Sequence, residues 1–257
     1  MNIFVMVDME GISGICRASQ VSKEGEHYKT AVRYLTADVN ACVEGCFAGG
    51  AKKVVARDAH SGGFNFAWED LDPRAEYVQG TSPQRMPGID SFDGLILLGY
   101  HAMAGTPEAV LEHTWSSRNW QNLWINGKKA GETALDAAIA GDHGVPVIMV
   151  SGDDKVCKEA RAVLAGVTTV QVKKGLDVEG AILLPREKAH KAIREGAAKA
   201  VRNCRGLKPL RIKPPVKMRL ELVSRGRVPA GRKYVKVIDG RTYEVAAASV
   251  EEALRLL

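Results

Sequence analysis

Three short apolar runs in this chain each stop at residues whose side chains bind metals, and that repetition constrains the fold more than any other feature. IFVMV (3–7) leads into Asp8-Met9-Glu10-Gly11, VVAR (54–57) into Asp58-Ala59-His60, and LILLGY (95–100) into His101. Short β-branched apolar runs read as buried strands, and in open α/β sheets ligands collect beyond the carboxyl ends of the strands. If the three strands are neighbours, Asp8, Glu10, His60 and His101 meet in one crevice. Asp8 and Glu10, two residues apart in extended chain, face the same way. Taken singly, each residue has a plainer reading. An Asp after a strand is most often a turn or helix cap, a lone His is most often a hydrogen-bonded core residue, and an Asp-x-Glu pair usually faces water. Two imidazoles and two carboxylates at three strand ends together favour a metal. With no thiolate among them, the set suits Zn²⁺, Mn²⁺ or Fe²⁺ in a reactive site rather than a structural zinc.

Around these runs the pattern alternates strand and helix. Residues 28–47 carry Val32, Leu35, Val39, Cys42, Val43 and Cys46 at helical spacing and stop at Gly49-Gly50. Residues 123–129 predict a hairpin with a tight Asn126-Gly127 turn. Helices are expected over 131–141, 153–164 and 186–203, and strands over 146–150 and 167–172. Gly196 weakens the helix over 186–203. The alternation predicts an α/β layered domain with a mainly parallel sheet. The Pro-rich basic stretch LKPLRIKPP (207–215) divides the chain. Residues 1–205 read as the metal-binding α/β catalytic domain. Residues 206–257, with strands at 216–223 and 234–238 and a helix at 249–257, read as a small C-terminal α+β subdomain or extension.

Composition excludes several classes. The 257 residues are 46% hydrophobic and 26% charged, which argues for a globular protein rather than a disordered or fibrous one. No apolar run reaches the ~20 residues of a membrane span, and the opening lacks the basic start of a signal peptide. A cytoplasmic protein is expected. Five cysteines without a CxxC argue against a disulfide framework or a thiolate zinc site. Charge is uneven: residues 1–185 carry 17 Lys+Arg and 23 Asp+Glu, whereas 186–257 carry 19 and 7. No nucleic-acid-binding motif accompanies the basic end, so it reads as a solvated face or one docked on an acidic face of the same or another subunit.

Glu132 opens a helix, where an acid simply suits the macrodipole. His113 lies in a loop-like stretch, as a surface residue or a proton shuttle. Trp115, Trp120 and Trp124 gather around the hairpin, as core or as a pocket wall or interface. Asp153-Asp154 suits a helix cap, Cys42 and Cys46 suit a core, and His143 and His190 show no partner pattern and read as surface residues.

MVDMEGISG (6–14), Asp58/His60, GYHAMAGTP (99–107), His113-Thr114, AGETALDAAIAG (130–141) and SGDD (151–154) resemble, in that order, the zinc-dependent D-aminopeptidase family of the DppA type. The resemblance implies a metallo-aminopeptidase with two Zn²⁺ per subunit, in which Asp8 bridges the ions, Glu10 and His101 complete one, and His60 and Glu132 the other. It implies that His113 is the catalytic histidine, described in the family as a nucleophile, that the substrates are short peptides with an N-terminal D-residue such as D-Ala-D-Ala, and that the chain forms a homodecamer of stacked pentameric rings. Three carboxylates against two Zn²⁺ leave a positive charge that favours a bound hydroxide as the attacking group, with His113 in an acid/base or oxyanion role instead. Another metal-dependent amidase or dipeptidase on the same scaffold, or a binding protein using the basic end, is the alternative. The chain departs from the family pattern at Ala59, where Ser is usual, around Glu108, where the stretch before His113 is about one residue longer, and at Asp136, where Asn is common. Asp136, one helical turn from Glu132, is expected to add negative charge to the site.

Overall fold

A computed structural model describes residues 1–257. In chain order its elements are strand β1 (Asn2–Val7), helices α1 (Ala18–Val21) and α2 (Tyr28–Ala48), and strands β2 (Lys53–Asp58), β3 (Glu76–Val78), β4 (Gly94–Tyr100), β5 (Trp120–Ile125) and β6 (Lys128–Ala130). Helix α3 (Glu132–Asp142), strand β7 (Val147–Asp153), helix α4 (Asp154–Val163), strands β8 (Thr168–Asp177) and β9 (Gly180–Leu183) and helix α5 (Arg186–Asn203) come next. Strands β10 (Val216–Leu222), β11 (Lys236–Val237) and β12 (Thr242–Ala247) and helix α6 (Val250–Leu256) complete it.

The α/β reading holds. Seven strands form one sheet in the order β3-β2-β1-β4-β7-β8-β9, parallel except for the last pair. Its middle strands are apolar throughout because both faces are covered. Ile3, Val5, Val7, Ile96 and Leu98 pack under α2 and α5, while Phe4, Met6, Leu95 and Leu97 join the core shared with α3 and the second sheet. Helix α5 has the bounds expected from its spacing. Gly196 is required there, since a Cβ would meet Val170 Cγ2 of β8 at 2.3 Å. Asp153 caps α4 by accepting from the Lys155 and Val156 N–H groups, as its sequence position suggested. Cys42 and Cys46 are fully buried core residues.

The second sheet is antiparallel, in the order β11-β12-β10-β5-β6. It joins the expected hairpin, with Asn126 and Gly127 at φ 46° and 80°, to the C-terminal strands. Met218, Leu220, Leu123 and Ile125 carry this sheet's contribution to the common core.

Register places the functional residues. Val7 of β1 lies beside Asp58 of β2 on one side and Leu98 of β4 on the other. The three chains therefore leave the sheet side by side at the same level, and the residues just beyond their ends share one crevice.

Candidate metal centre

At that crevice the structure brings together Asp8, Glu10, His60, His101, Glu132 and His113. They form two clusters, Asp8 with Glu10 and His60, and His101 with His113 and Glu132. Asp8 lies between them: Oδ1 is 3.2 Å from His60 Nδ1 and Oδ2 is 3.3 Å from His101 Nε2. Glu10 Oε2 is 3.2 Å from His60 Nδ1, and Glu132 Oε1 is 3.2 Å from His101 Nε2. Geometry thus groups Glu10 with His60 and Glu132 with His101, a different pairing from the one the resemblance implies.

Backbone contacts aim each ring. His101 Nδ1 sits 3.0 Å from the Ala102 carbonyl, leaving Nε2 for the crevice. His60 is turned the other way, with Nε2 2.9 Å from the Val21 carbonyl of α1 and Nδ1 facing the carboxylates. A carbonyl only accepts, so each of these contacts fixes which nitrogen carries the proton. Asp58 plays no part in the crevice. Its carboxylate accepts from the Asn65 N–H, the Asn65 amide and the His60 N–H, and so shapes the turn that carries His60.

Glu132 is the first residue of α3, and its Oε1 accepts the Trp115 backbone N–H at 2.7 Å. His113 stacks on His101, ring centroids 3.8 Å apart, and its Nε2 is 3.7 Å from Glu132 Oε1. Its Nδ1 lies 2.9 Å from the Leu111 carbonyl, so Nδ1 holds a proton and Nε2 faces the site. Glu108, Leu111 and Trp115, all non-glycine, have left-handed φ of 56°, 50° and 62°. Such conformations persist only where surrounding contacts hold them, and here they cluster around His113.

The charges interlock. Burial would raise the Asp8 carboxyl, but His101 and His60 pull it well below its ordinary range. Burial would lower both imidazoles, yet the carboxylates around them hold His60 and His101 well above theirs. Glu132 is likewise pushed up by burial and pulled down further by His101. Despite these short approaches, Glu10 Oε2 and His101 Nε2 are buried without a hydrogen-bond partner. Buried polar atoms are nearly always paired. One such atom in each of two all-imidazole and carboxylate clusters suits divalent zinc.

The crevice opens into a cavity of 650 Å³, walled also by Lys23, Arg85, Trp115 and Arg118. Trp115 therefore serves as a pocket wall, stacked against Trp120 at 5.9 Å and against the Arg85 guanidinium at 4.3 Å. Arg85 was not legible in the sequence, because it lies in a loop without periodicity. It binds Asp136 through two 2.8 Å contacts, Nε to Oδ1 and Nη2 to Oδ2. Tyr100 donates to the same carboxylate. The expectation that Asp136 adds charge to the site is thereby corrected, since Arg85 neutralises it. His190, expected at the surface without a partner, leans on the buried Asp38 at 3.3 Å. His143 is exposed, as expected, but lies 3.3 Å from Glu251.

The sequence profile of the peptidase family M55, described as D-aminopeptidase, matches residues 1–257. A D-aminopeptidase of Bacillus subtilis (strain 168) is 36% identical over 213 residues, 82% of this chain and 77% of the relative. The solved structure titled "Zn-dependent D-aminopeptidase DppA from Bacillus subtilis, a self-compartmentalizing protease" superposes with a TM-score of 0.95 at 31% identity. The match covers 99% of this chain and 94% of that one.

Proposed function

The chain belongs to the D-aminopeptidase family, and from that premise we propose that it is a zinc metallo-aminopeptidase acting on short peptides with an N-terminal D-residue, such as D-Ala-D-Ala. The observation that carries this reading is the pair of clusters joined by Asp8, with Glu10 Oε2 and His101 Nε2 buried and unpaired. Asp8, Glu10 and His60 would hold one zinc, and Asp8, His101 and Glu132 the other. Zinc supplies polarisation of the scissile carbonyl and of a water whose pKa it lowers to ~7.

The chain's own residues do the rest. His113 keeps a proton on Nδ1 against the Leu111 carbonyl and presents Nε2 to the cavity. From there Nε2 takes a proton and delivers it to the leaving amine, or donates to the oxyanion. The Trp115 N–H fixes Glu132, and the Trp115 and Arg85 side chains form a stacked wall of the cavity. No helix is long and apolar enough to cross a membrane. We infer a cytoplasmic homo-oligomer of stacked pentameric rings, supported by the "self-compartmentalizing" description of the similar structure.

The test is hydrolysis of D-Ala and L-Ala p-nitroanilides by zinc-loaded protein beside a His60→Ala variant. Cleavage of the D form, reduced at least ~10²-fold in the variant, is expected. Preferential cleavage of the L form would overturn the stereochemical reading. Undiminished activity in the variant would overturn the site.

A further inference from the structure

The loop that carries Glu10 has few internal bonds of its own. Ile12 N donates to the Met9 carbonyl and Ile15 N to the Ile12 carbonyl, both at 3.2 Å. What holds it comes from elsewhere in the sheet. Lys173, on β8, has only 1% of its surface exposed, and its Nζ donates to the carbonyls of Glu10, Ile12 and Ile15 at 2.5, 2.9 and 2.6 Å. An ammonium has three donors and no acceptor, so all three are used on this one loop. Lys173 forms no ion pair with a carboxylate. A buried, strongly hydrated cation is costly unless its surroundings satisfy it; here backbone carbonyls take all three donors, and the nearby carboxylates of Asp153, Asp38 and Glu10 favour the charge without pairing with it.

Two further contacts close the grip. Asp38 of α2, also buried, accepts from Ser13 N at 2.8 Å and Ser13 Oγ at 2.7 Å, gripping the same loop by its donors as Lys173 grips it by its acceptors. Gly11 N donates to the Gly99 carbonyl at 2.7 Å, and a Cβ on Gly11 would lie 2.0 Å from the Tyr100 carbonyl. The loop is therefore pressed against the end of β4, beside His101.

We propose that Lys173 is the positioning residue for Glu10, and that by fixing the Glu10 carbonyl it sets the affinity of the Asp8–Glu10–His60 cluster for a divalent ion. The inference rests on the reading above that this cluster holds a metal. Three carbonyls aimed at one point repel each other, and the cation converts that repulsion into a fixed backbone. With the Glu10 main chain fixed, its carboxylate stays 3.2 Å from His60 Nδ1 without any hydrogen bond to hold Oε2 there. The other cluster takes His101 from just beyond β4, His113 from the following loop and Glu132 from α3, and shares only Asp8, whose N–H is held by the Leu98 carbonyl of β4 rather than by Lys173.

The experiment is a Co²⁺ titration of metal-free protein, followed by visible absorption against a competing chelator. It compares the wild type, His60→Ala, Lys173→Met and Lys173→Arg. The step missing in His60→Ala identifies the ion of the Glu10 cluster. In Lys173→Met that step is expected to weaken ~10–100-fold, while the other step keeps its wild-type midpoint. Lys173→Arg, which keeps charge and donors, is expected to fall between them, and it decides the matter if the Met variant does not fold. Wild-type affinity at the Glu10 step in the folded variants, or equal weakening of both steps, overturns the positioning role. A wild type that takes up no Co²⁺ overturns the metal reading itself, and the inference with it.

Discussion

Glu159 shows how much a single buried carboxyl can do to the pH response of this protein. It sits on α4, where Oε2 accepts the Met103 N–H at 2.9 Å and Oε1 is buried without a partner. Burial pushes its carboxyl up to about 7, against an ordinary value of 4.5, more than the Met103 N–H pulls it down. Between those two values the folded protein holds a proton that the unfolded chain has lost. Stability therefore falls as pH rises through that window, by ~3 kcal/mol at most. Urea unfolding of metal-free protein at pH 5 and pH 8 should show this loss in the wild type and not in Glu159→Gln. Parallel behaviour of the two would dismiss it. At this scale the sequence was informative where a residue type and a strand end coincided, as for Asp8, Glu10, His60 and His101. It was silent for Lys173, whose neighbour Val172 is also buried. The register of β8 against β7 shifts between Gly152 and Asp153, and that shift defeats the alternation from which a lysine would be read as outward.

Among elements, the join between α3 and the loop after β3 adds a charge pair to apolar packing, in which Met86 and Ile89 share a core with Leu135 and Ile139. Arg85 Nη2 lies 2.8 Å from the fully buried Asp136 and 3.9 Å from Glu132, and Arg57 nearby has buried nitrogens without partners. Asp136→Ala takes from the largely buried Arg85 its two short contacts and leaves it only Glu132 at 3.9 Å, and is expected to cost ~3 kcal/mol. The double variant Arg85→Met/Asp136→Leu, which removes both charges, should recover most of that loss, as measured by urea unfolding. If the double variant is as unstable as the single one, the pair is not what joins these elements. The long helices and the central strands were legible because each buries a regular stripe or an unbroken apolar run. The short elements were not. Strand β3 has three residues at a sheet edge, one exposed and two half-buried, α1 has four residues with none buried, and β9 is held only by pairing with β8.

For the whole molecule, five exposed apolar side chains gather in one place: Leu176, Val178, Ile182, Leu183 and Leu184, all on or beside the β8–β9 hairpin at the open edge of the large sheet. An apolar patch on an unpaired edge strand is a surface that soluble proteins cover. Zinc-loaded protein is expected to sediment well above its 27.8 kDa chain mass and to stay assembled as salt rises, because apolar contacts strengthen in salt where charge pairs weaken. Ile182→Glu should shift it toward the monomer. Dissociation by salt alone would instead assign the contact to the acidic and basic faces that the charge split suggested. The second sheet was the least legible part of the fold, since the pairing of β5 with β10 joins segments far apart in the chain, and no local pattern encodes a partner at that distance.

That pairing also orders events during synthesis. A ribosome releases Asp8, His60 and His101 early, each at the end of a strand whose neighbours are already made or soon emerge. Glu132 is different: it stands at the close of the β5–β6 hairpin, whose Leu123 and Ile125 find their cross-strand partners Leu220 and Met218 only when β10 emerges. The fifth residue of the candidate site is thus seated on a platform finished near the end of translation, and a nascent chain carries an incomplete site until then.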